Sequence, residues 1–178
     1  MPFVRRPETR PVSGQPTVEI RRADVTAPAA FPDLTDVDVV VSALGIGKGD
    51  GQGTLIAGAR IFADVPVRTL WLGALGSGSS AGAGGGIYQW VMKAIVGEEL
   101  AEKAAADSIA LDGGATVFHA PDLRAGSVST GRRNIPLEDH AKPVLPPYAS
   151  RAAIAALMLD EAERPTRAAG IPVPVGRI

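Results

Sequence analysis

Residues Val37 to Gly45 read Val-Asp-Val-Val-Val-Ser-Ala-Leu-Gly, a β-branched run that stops abruptly at small residues. Three consecutive valines, Val39 to Val41, leave no polar side for solvent, which suits a strand covered on both faces in a parallel sheet. Ser42 to Gly45 then fall at the strand's carboxyl end, where open α/β sheets bind ligands. A parallel strand of this kind needs crossover segments on either side of it.

The flanking sequence supplies them. Phe3 and Val4 end a short strand, and Pro7, Pro11, Gly14 and Pro16 make residues 7–16 a loop. Val18-Glu19-Ile20-Arg21 alternates apolar and charged residues, the pattern of a half-buried strand toward the sheet edge, with Asp24-Val25-Thr26 at its carboxyl end. Pro28 to Leu34 is a helical turn or irregular crossover. Behind the valine strand, Gly45 to Gly53 carries glycine at every second position, and Thr54 is the expected N-cap of a helix over Leu55–Ala63. Pro66 ends that helix, and Val67–Leu72 is a further strand delivering Gly73-Ala74-Leu75-Gly76.

Ser77 to Gly86 is almost wholly glycine, serine and alanine, so a mobile loop over the site is expected. Ile87, Val91 and Ile95, with Ala101, Ala104 and Ala105, predict a long helix to about Leu111, interrupted or bent near Gly97 and stopped by Asp112-Gly113-Gly114. Ala115–His119 is a buried strand ending at Ala120-Pro121-Asp122-Leu123, and residues 124–147 read as irregular. Ser150 caps a helix with Ile154, Leu157 and Met158 on its apolar face, ended by Pro165. Ile171–Val175 is a last strand that Pro172 and Pro174 confine to an edge. Strands alternating with helices give the α/β class: an open, mostly parallel sheet with a site along its carboxyl ends.

The 178 residues are one domain's worth of chain, long enough for a real core. With 18 basic and 19 acidic side chains the net charge is -1, so bulk electrostatics favour neither nucleic acid nor a membrane surface as partner. Arg5/Arg6, Arg21/Arg22 and Arg132/Arg133 are local anion sites or solvated surface. The absence of cysteine removes disulfides, thiolate metal ligands and a cysteine nucleophile together, and no metal site is expected. No apolar run approaches the roughly 20 residues of a membrane span, and the expected location is the cytoplasm. The 21 glycines and 15 prolines cluster in connections, as in loop-rich globular structure.

In order along the chain, these segments resemble the atypical short-chain dehydrogenase/reductase proteins, the NmrA-like NAD(P)-binding family. Arg5-Arg6-Pro7-Glu8 resembles that family's "VRxPE" turn, where an arginine commonly meets the 2′-phosphate of NADP. Asp24-Val25-Thr26 resembles its "DVTD" loop along the adenine, and Val37–Gly45 its "VDAVVSALG" strand beside the adenine ribose. Leu70–Gly76 is similar to the fifth strand with its "SSLG" end, Thr116–Leu123 to "TIVRAPGL" beside the nicotinamide, and Ser150-Arg151 to "ISRADVA". The resemblance implies a Rossmann-like, doubly wound, mostly parallel sheet over 1–178. It also implies NADP or NAD as cofactor and a small organic substrate. Its cofactor residues map to Arg5, Arg6, Asp24, Val25, Ser42, Ala43, Leu44 and Gly45.

The chain departs from the family in informative ways. The opening strand with its GxxGxxG pyrophosphate turn has no counterpart, so the family's first βα unit is absent and the fold is expected to be N-terminally truncated. That strand is central, so its loss splits the sheet unless another segment, or a second copy in a homodimer, completes it. The Gly45–Gly53 loop is a phosphate seat or a flexible turn. Tyr88 is followed four residues on by Met92, not by the lysine of Tyr-x-x-x-Lys, and Lys93 sits about 100° round the helix. Lys103 and Asp107 resemble the family's "KxxxE", a pair that orients a ribose or substrate; a surface helix ion pair is the plainer reading. His119 replaces the usual arginine at a strand end and is a candidate proton donor or a structural core residue. His140 lies in a loop, Ala153 replaces the aspartate of "SRADVA", and Asp122 is a candidate carboxylate partner in the pocket.

Three functions stay open on these residues. One is an NAD(P)-dependent reductase or epimerase-like protein. A second is a cofactor-free cyclase, dehydratase or isomerase with His119 and Asp122 as acid and base. The third is a non-enzymatic sensor.

Overall fold

The computed structural model describes residues 3–4, 19–47, 50–144, 147–166 and 169–176. Two short strands, β1 (Phe3–Val4) and β2 (Arg21–Arg22), pair in parallel. Three longer ones, β3 (Val39–Ser42), β4 (Arg68–Ala74) and β5 (Thr116–Ala120), form a second parallel sheet in that order, with Val40 opposite Thr69 and Leu72 opposite Phe118. Among the described residues no ladder joins β2 to β3, so the β1–β2 pair and the three-stranded sheet are separate pieces. The Arg21 guanidinium pairs with Asp36, three residues ahead of β3, and bonds the Asp33 carbonyl, which brings the start of β2 near the lead-in to β3 without pairing the strands.

The three-stranded sheet is covered on both faces, as its valine-rich sequence demands. On one face α1 (Thr54–Ala63) and α2 (Gly86–Asp112) pack as a pair, and Leu55, Ala59, Ala106 and Ala110 meet Trp71 and Val117. On the other, α3 (Arg151–Glu163) sets Ile154 and Met158 against Leu70 and Phe118. Alternate residues of β4 and β5 thus serve opposite layers, the period-two rule of strands. Ser150 caps α3 as expected, its hydroxyl accepting the Ala153 N–H at 3.0 Å. No helix among the described residues is long and apolar enough to cross a membrane.

Tertiary contacts overrule the sequence reading in four places. Thr54 does not cap α1: Gly53, at φ +88°, holds that position, and Thr54 turns its hydroxyl to the Gly51 carbonyl at 2.9 Å. The α2 helix runs through Gly97 without interruption, and Ile87 does not lie on its buried face. Ile87 is 56% and Trp90 73% exposed, while Tyr88, Ala106, Asp107 and Ala110 are buried. A 27-residue helix is about 40 Å long, against about 23 Å for the seven residues of β4, so much of α2 overhangs the sheet.

Residues 77–86 are pinned rather than mobile. Ser77 and Ser80 are buried, Ser80 Oγ accepts the Gly76 N–H at 2.9 Å, and Gln89 accepts the Gly82 N–H at 2.8 Å. Hydroxyls and an amide do here what apolar side chains would do elsewhere. Finally, the stretch 124–147 holds strand structure. After β6 (Asp122–Arg124) comes β7 (Arg133–Pro136), and β6 pairs in parallel with β8 (Tyr148–Ser150). The antiparallel partner of β7 is β9 (Pro172–Val175), which reaches β5 through the Val117 N–H bonded to the Gly170 carbonyl at 2.9 Å. Arg-Asn-Ile-Pro has no apolar alternation of its own, so only its partner makes it a strand.

Candidate functional site

Parallel strands release their chain at one edge, and here small residues follow each one. The result is a cleft of about 250 Å³ walled by Ala43, Leu44 and Gly45 after β3, by Trp71–Ala74 of β4, and by Ala120 and Pro121 at the end of β5. Leu55 of α1 and the side chains of Lys103 and Asp107 on α2 close it.

Asp107 is the buried polar centre of this arrangement, 3% exposed. Its Oδ1 accepts the Trp71 indole N–H at 2.9 Å, and its Oδ2 lies 2.9 Å from Ser77 Oγ. Gly73 makes room for it: a Cβ there would meet both carboxylate oxygens at 2.8 Å. Burial pushes the carboxyl's pKa up, against the bonds from Ser77 and Trp71 and the charge of Lys103. Lys103 lines the cleft beside it, but the hydrogen bonds of Asp107 go to Trp71 and Ser77, so the surface helix ion pair is not what forms.

His119 is completely buried beneath the cleft. Its Nδ1 is 2.6 Å from Ser80 Oγ; its Nε2 is 3.4 Å from Asp107 Oδ2 and has no hydrogen-bond partner. Burial lowers its pKa to about 4, so the ring is neutral near pH 7. Ser80, His119 and Asp107 stand in the order of a hydrolytic triad. Ser80, however, is 1% exposed and its oxygen already takes the Gly76 N–H, so no substrate reaches it.

The remaining sequence candidates divide. Ala43, Leu44, Gly45 and Lys103 line the cleft. Ser42 is buried at the end of β3, and Val25 packs near Leu44 over Gly58, where a Cβ would meet Leu44 at 2.5 Å and Val25 at 3.5 Å. The Asp24 carboxylate accepts the Thr26 N–H at 2.9 Å and its hydroxyl at 2.7 Å, forming a tight turn. Asp122 is exposed and paired with Arg124 at 2.9 Å, and the Arg124 guanidinium lies 4.4 Å over the Tyr148 ring. Arg5 and Arg6 lie outside the described residues.

Arg21 and Arg132 are taken up by ion pairs with Asp36 and Asp160. Tyr88 is buried, and its hydroxyl pKa is pushed up to about 12 by burial and by the Asp122 charge. His140 is partly buried and its pKa is lowered, chiefly by burial. Among the described residues no group of three or more His, Cys, Asp or Glu could hold a metal ion.

The Gly45–Gly53 loop carries its own anions. The Glu102 carboxylate accepts the Leu55 N–H in the first turn of α1 at 2.8 Å, and Asp50 accepts the Gly47 N–H at 2.7 Å. Carboxylates on the Gly47 and Leu55 amides disfavour a phosphate at those two donors. A flat, apolar ring fits the Leu72–Ala74 floor, and the Lys103 ammonium suits the hydroxyls of an attached sugar.

Sequence reasoning passed over Trp71, Ser77, Ser80 and Glu102. One signal was available: a tryptophan in a buried strand needs an acceptor for its N–H, and Asp107 is the buried acid that supplies it.

No protein-family profile and no curated protein matches the chain. Solved structures do. The oxidoreductase ylbE of Lactococcus lactis superposes with a TM-score of 0.73 at 14% identity, over 98% of this chain and 78% of that one. An anaerobillin reductase, ChuY of Escherichia coli O157:H7, gives 0.65 at 18% identity over 90% of this chain and 76% of its own. For chuY of strain CFT073 the values are 0.55 and 17%, over 67% of this chain and 64% of that chain, so the match spans under two thirds of that relative. A candidate NADH-flavin reductase of Streptococcus pneumoniae gives 0.68 at 15% identity, over 98% and 86% of the two chains. What the chain shares with these proteins is a Rossmann-like α/β fold built on a mostly parallel sheet.

Proposed function

We propose that the chain is an NAD(P)-binding reductase or epimerase-like protein of the atypical short-chain dehydrogenase kind, acting on a small organic substrate. The observation that carries this reading is the convergence of Ala43, Leu44, Gly45, Lys103 and the Ala120–Pro121 strand end, distant in sequence, on one cleft at the carboxyl edge of a parallel sheet. The reductases among its structural neighbours support the same reading. In it Ser42–Gly45 wall the adenosine, Asp24 and Val25 border the adenine, Arg5 and Arg6 meet a 2′-phosphate if the cofactor is NADP, and Lys103 holds ribose or substrate hydroxyls. A bound nicotinamide supplies hydride; the chain's own residues exclude water from the floor, orient the ring and hold the proton. Of the acid–base candidates named from sequence, His119 is completely buried and reaches the cleft only through Asp107, 3.4 Å away, and Asp122 is paired with Arg124 at the surface. The protein is proposed to be cytoplasmic, with no nucleic-acid or membrane partner, and to complete its sheet with a second copy.

The carboxylates of Glu102 and Asp50 on the glycine loop favour one rival, a cofactor-free isomerase or lyase using the same cleft. Calorimetric titration with NADPH and NADH separates the two. Micromolar binding is expected and rejects the rival; no binding at millimolar cofactor overturns the reductase reading.

A further inference from the structure

Pro121 and Leu123 line the cleft, and Asp122 and Arg124, which alternate with them along the chain, stand on its rim. An exposed arginine ordinarily samples many rotamers, but two partners from two strands hold this one. Asp122 Oδ2 accepts the Arg124 Nε–H at 2.9 Å, and the guanidinium carbon lies 4.4 Å over the ring of Tyr148 on β8, the residue opposite Asp122 in the β6–β8 ladder. Nη1 and Nη2 are left without an acceptor among the described residues. The side chain is exposed, so this oriented pair of donors is open to a ligand.

A second donor near Asp122 is also unspent. Tyr88 is 5% exposed, its ring seated in the space left by Gly76 and Gly84, yet its hydroxyl makes no hydrogen bond among the described residues. Burial and the Asp122 charge hold that hydroxyl in its protonated form, as a donor. Two sets of donors thus stand near one carboxylate, and neither the Arg124 terminal amino groups nor the Tyr88 hydroxyl has a protein acceptor.

We propose that Arg124, aimed by Asp122 and Tyr148, anchors a carboxylate of the substrate, which makes small organic acids the substrate class of this cleft. The inference deepens the proposed function and rests on its reading of the cleft as the substrate site. The two oxygens of a carboxylate match the guanidinium fork and take two parallel charge-assisted bonds. Asp122 already offsets the guanidinium charge, so a singly charged carboxylate suits this position better than a phosphate dianion. With the acid held on the rim, the apolar remainder of the molecule lies past Pro121 along the Leu72–Ala74 floor, and the Tyr88 hydroxyl is a donor to an oxygen of the same molecule.

The test uses the full chain at pH 7 without cofactor, titrated by NMR with phenylacetate and, as the uncharged control, phenylacetamide. The acid is expected to bind at least about tenfold tighter than the amide, and Arg124→Gln to remove that preference. Arg60→Gln, the same charge change on the exposed surface of α1, is expected to leave it intact. Equal binding of acid and amide by the wild type, no binding of the acid at millimolar concentration, or an acid preference that survives in Arg124→Gln overturns the proposal. Should Arg124→Gln fail to fold, the wild-type spectra decide: acid-induced shifts are expected at Arg124 and Tyr148, and shifts confined to other residues overturn it. Acid preference in a chain that binds neither NADPH nor NADH sinks the reductase reading and leaves the carboxylate site standing; NADPH binding with no acid preference does the reverse.

Discussion

A completely buried, neutral histidine ties stability to pH with a definite sign. The His119 pKa falls to about 4 in the folded chain against an ordinary 6.5, because burial disfavours the imidazolium. Below pH 6.5 the unfolded chain binds the proton and the folded chain does not, so the stability His119 contributes is full above that pH and is lost as pH falls toward 4. The loss between pH 7 and pH 5 amounts to about 2 kcal/mol. His119→Gln is expected to flatten the urea-unfolding stability over that interval by about this amount relative to the wild type. Equal slopes for the two proteins would mean that the ring is protonated in the fold. Of this residue the sequence revealed only its place at a strand end. Its depth, and the partnership with Ser80 and Asp107, come from the loop folding back over β4 and β5.

At the scale of elements, α1 owes its start to a neighbour and not to its own cap. Gly53 has no side chain to offer, and the Leu55 N–H is satisfied by Glu102 of α2 at 2.8 Å. Glu102→Ala is expected to cost about 1 kcal/mol in urea unfolding, the range of a lost N-terminal cap, with less of the difference at high salt. An unchanged midpoint would show that water replaces the carboxylate without penalty. The elements that were legible beforehand are those whose period decides them. Val39–Val41 has no polar face, and Ser150 precedes an apolar helical stripe. The illegible ones depend on contacts from afar: the serine turn at 77–80 is fixed by Ala74 and Asp107, and Arg133–Pro136 becomes a strand only beside Pro172–Val175.

Across the whole molecule, the feature that distinguishes this sheet is the edge of β3 away from β4. Among the described residues nothing pairs with it, although β2 comes close enough for Arg21 to reach Asp36. Backbone groups of a strand that is apolar on both faces need partners, and an uncharged edge is a template for another strand. Val41 is 40% exposed at this edge, where a covered valine would be expected. A second copy supplying a strand there would bury Val41 and satisfy the outer amides and carbonyls of Val39–Ser42. Sedimentation is therefore expected to show a reversible dimer, and Val41→Lys to shift it toward monomer, because a lysine blocks strand addition while leaving the β3–β4 ladder intact. Hydrogen exchange of the Val39–Ser42 amides should slow as protein concentration rises in the wild type but not in Val41→Lys. A monomer at every concentration up to the solubility limit, with exchange independent of concentration, would leave that edge to water and remove the second copy from the proposed assembly.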